Sequence, residues 1–328
     1  MKKVLVPFWL PDEVKSKYKD KVELIHVENP MGVMNFDEIT EAVVDVNALV
    51  GKANRAIIDA GKNLEAICSF GAGFDAIDIQ YAGSKGIKVS NAANGTTEAT
   101  AELAISVLLC LSRRIRNQSR RLHTLNKCAS GGGYFSLSFD DAMPAARVFG
   151  KTIGIIGFGK IGKAVAKKAK GLGLKVIYYD VYRSSPEDEE RLGATYMTFE
   201  EVLKNADYVT LHCLYNQENH HLMNAEAFAM MKEGAFFINT ARGPLMDEKA
   251  LIGALKSKHL GGAALDVYER EPEISPELLS MDEVLLTPHM GTSTYDTRCD
   301  MICEVLDNLI AILNGEDIPS IVNRQYLK

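Results

Sequence analysis

No run of 18 apolar residues, the length a membrane-spanning helix needs, occurs anywhere in this chain. The opening MKKVLVPFWLPDE is basic but meets Pro7 and Pro11 before an apolar core of export-signal length forms, so we expect no signal peptide. Paired cysteines are also missing. Cys68, Cys110, Cys128, Cys213, Cys299 and Cys303 are scattered without a CxxC. The i, i+4 pair Cys299 and Cys303 has no histidine beside it, which argues for core filling and against a metal. A reducing, cytoplasmic setting is the expectation. Positive charge is in deficit, with 37 Lys and Arg against 43 Asp and Glu, so the chain carries no electrostatic footprint for nucleic acid. Its densest basic cluster, Arg113, Arg114, Arg116, Arg120 and Arg121, falls on a predicted helix and reads as a solvated or domain-bridging face.

What is present is a long alternation of short β-branched runs with helical patterns. At 328 residues the chain exceeds one ordinary core, so two domains are expected. Strand-like runs include KVLVPF, EAICSF, TIGIIG, KVIYYD, DYVTLH, GAFFINT, GGAALDV and EVLLTP. Near-continuous apolar strands separated by helices predict an α/β protein with two doubly wound parallel sheets, covered on both faces. One long helix is predicted from Thr97 through the arginine cluster, followed by the glycine-rich crossing CASGGGYFSLSFDDAMPAARVFG. A second, amphipathic helix spans roughly Thr294 to Leu313 and stops at Gly315. These breaks suggest a discontinuous first domain, residues 1–98 plus 291–328, into which residues 99–290 are inserted.

The inserted part opens on KTIGIIGFGKIGKAVAKKAKGLGLKVIYYD. Gly157, Gly159 and Gly162 form a GxGxxG between a buried strand and a helix, with Asp180 at the end of the next strand. In that setting the first glycine makes the tight turn and the second lets backbone approach a pyrophosphate at the helix N-terminus. The third lets helix and strand touch. Asp180 is placed to accept hydrogen bonds from an adenosine ribose and to repel a 2′-phosphate, which favours NAD over NADP. Arg183, close by, could partly accommodate that phosphate.

INTARGPLMDE, AALDVYEREP and LLTPHMGTS each end or follow a strand, so Arg242, Glu271 and His289 could converge at a strand edge. Reduction of a 2-keto acid needs a cationic fork for carboxylate and carbonyl, a proton donor and a group that charges the donor. Arginine, histidine and a carboxylate supply these in turn. Glu269 is the rival to Glu271.

These motifs, together with MKEGAFFINTARGPLMDEKALIGALKSKHLGGAALDVYEREP and VLLTPHMGTS, resemble the D-isomer-specific 2-hydroxyacid dehydrogenases along essentially the whole chain. Within that family the glyoxylate/hydroxypyruvate reductases are most similar. The resemblance implies a Rossmann NAD-binding domain inserted in a flavodoxin-like substrate domain, and a homodimer. It implies Arg242 as the substrate arginine, His289 as the acid/base and Glu271 as its partner. Asp266 would stand beside the nicotinamide, and the amides of Ala72 and Gly73 in SFGAGFD would cradle the substrate carboxylate. Thr97, Lys160, Ile161, His212, Thr240, Ala241, His289 and Gly291 would line the cofactor, and no metal is implied. Two departures stand out: NAANG where a proline–glycine pair is common, and Leu214 where a proline usually follows the histidine. Phosphoglycerate-oxidising relatives place arginines where this chain has Ser69 and Val50, so a small, unphosphorylated 2-keto or 2-hydroxy acid is expected. Alternatives are a D-lactate, D-2-hydroxyisocaproate or D-3-phosphoglycerate dehydrogenase, or a non-catalytic NADH sensor of the corepressor type.

Overall fold

A computed structural model describes residues 1–125 and 145–327; Cys128 and most of the glycine-rich crossing lie outside the described residues. The chain divides into two compact units, Met1–Ala99 with Thr292–Lys328, and Thr100–Gly291.

In the first unit, β1 (Lys3–Val6), β2 (Glu23–His26), β3 (Ala48–Val50), β4 (Ala66–Ser69) and β5 (Lys88–Asn91) pair in parallel, in the order β2-β1-β3-β4-β5. Crossovers between parallel strands are made by α1 (Asp12–Tyr18), α2 (Phe36–Ala42), α3 (Arg55–Ala60) and α4 (Ile79–Ser84). Val4 and Val6 face one core with Val50 and Cys68, while Leu5 faces the other with Leu49 and Ile67. A strand covered on both faces needs apolar residues at consecutive positions, which is why KVLV and AICS show no alternation.

The stretch after residue 96 forms two helices, α5 (Thr97–Ser112) and α6 (Ile115–Leu125), where the sequence predicts one. Arg114 stops the first: its φ of 50° is left-handed and cannot propagate a right-handed helix. Its N–H turns back to the Leu111 carbonyl at 3.1 Å, and the Ser112 carbonyl accepts from the Ala146 N–H at 2.8 Å. Nor is the arginine cluster wholly solvated. Arg114 is buried, and Arg116 and Arg120 bond to the Val284 carbonyl and the Asp282 carboxylate.

The second unit holds β6 (Thr152–Ile156), β7 (Lys175–Tyr179), β8 (Ala194–Tyr196), β9 (Tyr208–Leu211), β10 (Ala235–Asn239), β11 (Leu260–Leu265) and β12 (Val284–Leu286). They form one parallel sheet in the order β12-β11-β10-β9-β6-β7-β8. Its helices are α7 (Lys160–Gly171), α8 (Pro186–Leu192), α9 (Phe199–Asn205), α10 (Ala225–Met230), α11 (Glu248–Lys256) and α12 (Pro276–Ser280). From β6 the chain builds outward through β7 and β8, then returns to lay β9 on the other side of β6. Such a reversal opens a crevice at the carboxyl ends of the strands, where ligands of doubly wound sheets bind. Both sheets are parallel and doubly wound, as the sequence predicts.

The C-terminal helix α13 (Tyr295–Leu313) is capped by the Thr294 side chain and returns to the first sheet. It buries Ile302, Val305, Leu306 and Leu309 in the core that contains Val4 and Val6. Cys303 packs against this core, and Cys299 directs its sulfur to Glu13 at 3.2 Å. Among the described residues no helix is long and apolar enough to cross a membrane.

Candidate active site

The carboxyl edge of the second sheet collects most of the residues singled out in the sequence. Strands β10, β11 and β12 are consecutive neighbours, and each leads into one of the motifs that carry Arg242, Glu271 and His289. His289 Nδ1 lies 2.9 Å from Glu271 Oε2, and the other Glu271 oxygen accepts from the Tyr268 N–H at 3.1 Å. With Nδ1 on the carboxylate, the opposite ring nitrogen, Nε2, is left to face a reactant. The backbone of His289 is held at φ 52°, a left-handed conformation that costs energy and recurs at functional positions.

Burial pushes the Glu271 carboxyl up. The hydrogen bond and charge of His289, the Tyr268 amide and the charge of Arg242 outweigh it and hold the group below the usual carboxylate range. A lowered folded value means the ionised form gains from folding. That stability is present above the ordinary carboxylate range and is lost only as pH falls through the lowered value. At neutral pH His289 therefore faces an anion.

Glu269 is engaged elsewhere. Its carboxylate meets His221 Nε2 at 3.1 Å and accepts from the Glu248 N–H at the start of α11. The geometry thus separates the two glutamates: Glu271 is the one against His289.

Arg242 follows β10 in a turn organised by Asn239, which is fully buried. The Asn239 amide nitrogen donates to the Arg242 carbonyl at 2.9 Å, and its oxygen accepts from the Ala241 N–H at 3.0 Å. Gly243 lets this turn lie flat on the neighbouring one: a Cβ there would come within 1.8 Å of the Tyr268 carbonyl oxygen. Asp266, 1% exposed, pins the histidine turn by accepting from Thr287 Oγ1 at 2.6 Å, Met290 N at 2.8 Å and Gly291 N at 2.9 Å. Asn239, Thr287 and Tyr268 escaped the sequence reading. Each lies inside a quoted motif, but nothing in its type or spacing announces that it fixes a loop.

A dinucleotide fits the other half of this edge. Gly157 ends β6 at φ 93°, and a Cβ there would lie 2.4 Å from the Cys213 nitrogen. At Gly162 a Cβ would lie 2.1 Å from the Gly157 carbonyl oxygen. Gly159 caps α7 without a side-chain hydrogen bond, so the first-turn amides of Lys160 and Ile161 point toward an incoming anion. Asp180 ends β7 and accepts from the Phe158 N–H at 2.6 Å and the Tyr182 N–H at 3.0 Å. Each carboxylate oxygen keeps a second lone pair for a ribose hydroxyl. Of the six buried side-chain polar atoms without a hydrogen-bond partner among the described residues, His212 Nδ1 and Thr240 Oγ1 lie just past β9 and β10, on this edge. Burial pushes the His212 ring down to about 3, so it stays neutral, and its Nε2 lies 2.9 Å from Thr210 Oγ1.

Ala72, Gly73 and Thr97 belong to the first unit. Ala72 and Gly73 lie past the end of β4, where their carbonyls accept from Asn91 Nδ2 at 2.8 Å and Ser69 Oγ at 2.5 Å. Among the described residues no acceptor is paired with their N–H groups, which suits an anion. Thr97 opens α5, its hydroxyl 3.4 Å from the Ala93 carbonyl.

Residues 105–291 match the family model described as "D-isomer specific 2-hydroxyacid dehydrogenase, NAD binding domain". A Staphylococcus aureus protein whose name assigns it to the 2-hydroxyacid dehydrogenases is 39% identical, across 98% of this chain and 100% of its own length. Among solved structures, a glyoxylate reductase from Paecilomyes thermophila superposes with a TM-score of 0.84 at 31% identity, covering 99% of both chains. The holo form of Rhodotorula graminis D-mandelate dehydrogenase gives 0.85 at 30% identity, covering 98% of both. A nicotinamide-cofactor domain followed along its strand ends by Arg242, Glu271 and His289, in a chain aligned end to end with such relatives, leaves one assignment: this chain belongs to the D-isomer-specific 2-hydroxyacid dehydrogenase family.

Proposed function

We propose that this chain reduces a small 2-keto monocarboxylate, of the glyoxylate or hydroxypyruvate type, to the D-2-hydroxy acid with NADH as reductant. The observation that carries the reading is the 2.9 Å pair of His289 and Glu271 on the strand edge that also bears Arg242. When bound, NADH would supply the hydride for C2. Arg242 holds the substrate carboxylate and polarises the carbonyl through its planar fork. In the first unit, the free amides of Ala72 and Gly73 are the groups assigned to the carboxylate. As the carbonyl π pair moves onto oxygen, His289 donates its Nε2 proton to that oxygen, and Glu271 stabilises the imidazolium that precedes transfer. Thr97, Thr240, Ala241, His212, Asp266 and Gly291 are assigned to the cofactor, with the glycine loop and Asp180.

Two features support an unphosphorylated substrate. Ser69 spends its hydroxyl on the Gly73 carbonyl, and Val50 is buried in the sheet, so neither position offers a cation to a dianion. A second reading takes a larger acyl group. The first unit contains a cavity of about 560 Å³ lined by Phe8, Trp9, Phe70 and Tyr295, room enough for a branched or aromatic side chain. The solved relatives include both a glyoxylate reductase and a D-mandelate dehydrogenase, so the fold leaves acyl size open. The homodimer belongs to the proposal too, supported by the exposed Ile115 and Leu122 on α6, and sedimentation at micromolar concentration tests it.

NADH oxidation with glyoxylate, hydroxypyruvate, pyruvate, 2-ketoisocaproate and phosphohydroxypyruvate tests the whole reading. Turnover is expected with unphosphorylated acids, and phosphohydroxypyruvate should be the poorest acceptor. A highest kcat/KM for phosphohydroxypyruvate would sink the substrate class, and NADH binding without turnover would favour a sensor.

Glu271→Gln should lower the alkaline limit of keto-acid reduction, because the imidazolium loses its anionic neighbour. The acidic side should change little, since the wild-type carboxylate stays charged below the usual carboxylate range. Rate–pH profiles of the two proteins decide this. An unchanged alkaline limb would take the charging role away from Glu271.

A further inference from the structure

The turn after β7 carries a cation as well as Asp180. Arg183 is of the type that receives a ribose 2′-phosphate in NADP enzymes, and on charge alone it would blur a preference for NAD. It is already held. Arg183 Nε and Nη2 donate to Oε1 and Oε2 of Glu189, in the first turn of α8, both at 2.9 Å. Glu189 is fixed in turn: the Tyr178 hydroxyl donates to its Oε1 at 2.6 Å, and the Ser184 N–H donates to the Tyr178 oxygen at 3.0 Å. The Glu189 side chain is 14% exposed and that of Arg183 is 63%, so the carboxylate is the anchored partner and the arginine the tethered one. The guanidinium also lies 5.4 Å over the Tyr196 ring. The Arg183 guanidinium, with the Tyr178 hydroxyl second, holds the Glu189 carboxyl down to about 2, so the carboxylate is ionised at any working pH.

An exposed ion pair joined at one point contributes little. This one is two-pronged, with an acid that is mostly covered and hydrogen-bonded by a tyrosine, so it occupies the Nε/Nη2 edge of the guanidinium and offsets its charge. The adjacent Asp188 treats another cation of this surface in the same way, taking Lys163 of α7 at 2.6 Å.

We infer that Glu189 is a cofactor-selectivity residue: by tethering Arg183 it withholds the cation a 2′-phosphate would recruit and leaves the Asp180 carboxylate unopposed against that phosphate. The inference rests on the reading that the Gly157–Gly162 loop and Asp180 hold NAD, and Glu189 itself is outside the catalytic machinery.

Calorimetric titration with AMP and with adenosine 2′,5′-bisphosphate tests it without turnover. In Glu189→Gln, affinity for the bisphosphate should rise about tenfold or more, the worth of one charge-assisted hydrogen bond, with AMP affinity unchanged. Adding Arg183→Ala to that variant should remove the gain. In the wild-type background, Arg183→Ala alone should leave the ratio of the two affinities unchanged, which keeps the inference testable should Glu189→Gln fold poorly. A ratio unmoved in Glu189→Gln, a gain that survives loss of Arg183, or a tenfold loss of bisphosphate binding in Arg183→Ala would each overturn the inference while leaving the NAD reading intact. If neither nucleotide nor NADH bound the unmodified protein, the dinucleotide reading would fall, and the inference with it.

Discussion

His289→Ala should lower kcat for keto-acid reduction by about 10²- to 10⁴-fold, the usual contribution of a positioned acid/base group. NADH affinity should stay within a few-fold of wild type. The two effects separate because the glycine loop and Asp180, the main groups assigned to the dinucleotide, lie on other strand ends than the histidine. His289 follows β12, whereas Gly157 and Asp180 follow β6 and β7. The loop that carries His289 is fixed mainly by Asp266, through Thr287, Met290 and Gly291, so removing the imidazole leaves its backbone anchored. Glu271 would lose the largest of the groups that lower its carboxyl, leaving the Tyr268 amide and the Arg242 charge against its burial. Steady-state kinetics and NADH fluorescence titration on one preparation give both numbers. A kcat within tenfold of wild type would remove His289 as the proton donor.

Arg242→Lys should depress kcat/KM by about 100-fold, with KM raised and kcat lowered together. A lysine keeps the charge but loses the planar fork, and two charge-assisted hydrogen bonds at about 1.5–3 kcal/mol each are at stake. Uniform binding alone would move KM and spare kcat. Arg242 is expected to move both, because polarising the carbonyl matters most when its oxygen gains charge. The turn that presents it is held by Asn239 and by the close approach of Gly243 to Tyr268, neither of which the substitution touches. Circular dichroism and thermal melting should therefore match wild type. Unaltered kinetics in a normally folded variant would place the substrate carboxylate elsewhere.

Much of this site was legible in the sequence, because its signals are local. The GxGxxG needs only the strand before it and the helix after it, and both are written in contiguous apolar patterns. The strand-end motifs of Arg242, Glu271 and His289 are equally local, and parallel pairing of β10, β11 and β12 aligns them. What was hidden depends on distant partners. Arg114 interrupts the long helix although nothing in its neighbours forbids helix; the Ser112 carbonyl is taken by Ala146, 34 positions along the chain by subtraction. Glu269 and Glu271 differ in sequence only by spacing, and His221, far upstream, is what occupies the first. Asp266 is placed by the resemblance beside a nicotinamide, yet its visible hydrogen bonds fix the histidine loop. Arg183 looks like a phosphate ligand until the fold of α8 brings Glu189 against it.

The central claim is direct hydride transfer from cofactor to C2 with delivery of one hand of product. NADH carrying deuterium at C4, in the position that is transferred, should be incubated with the best acceptor of the panel. The product is then resolved by chiral chromatography and mass spectrometry. Deuterium at C2 of the D-2-hydroxy acid, in stoichiometric amount, is the expected result. Label retained in the cofactor, washed into water, or carried by the L-acid would contradict the account.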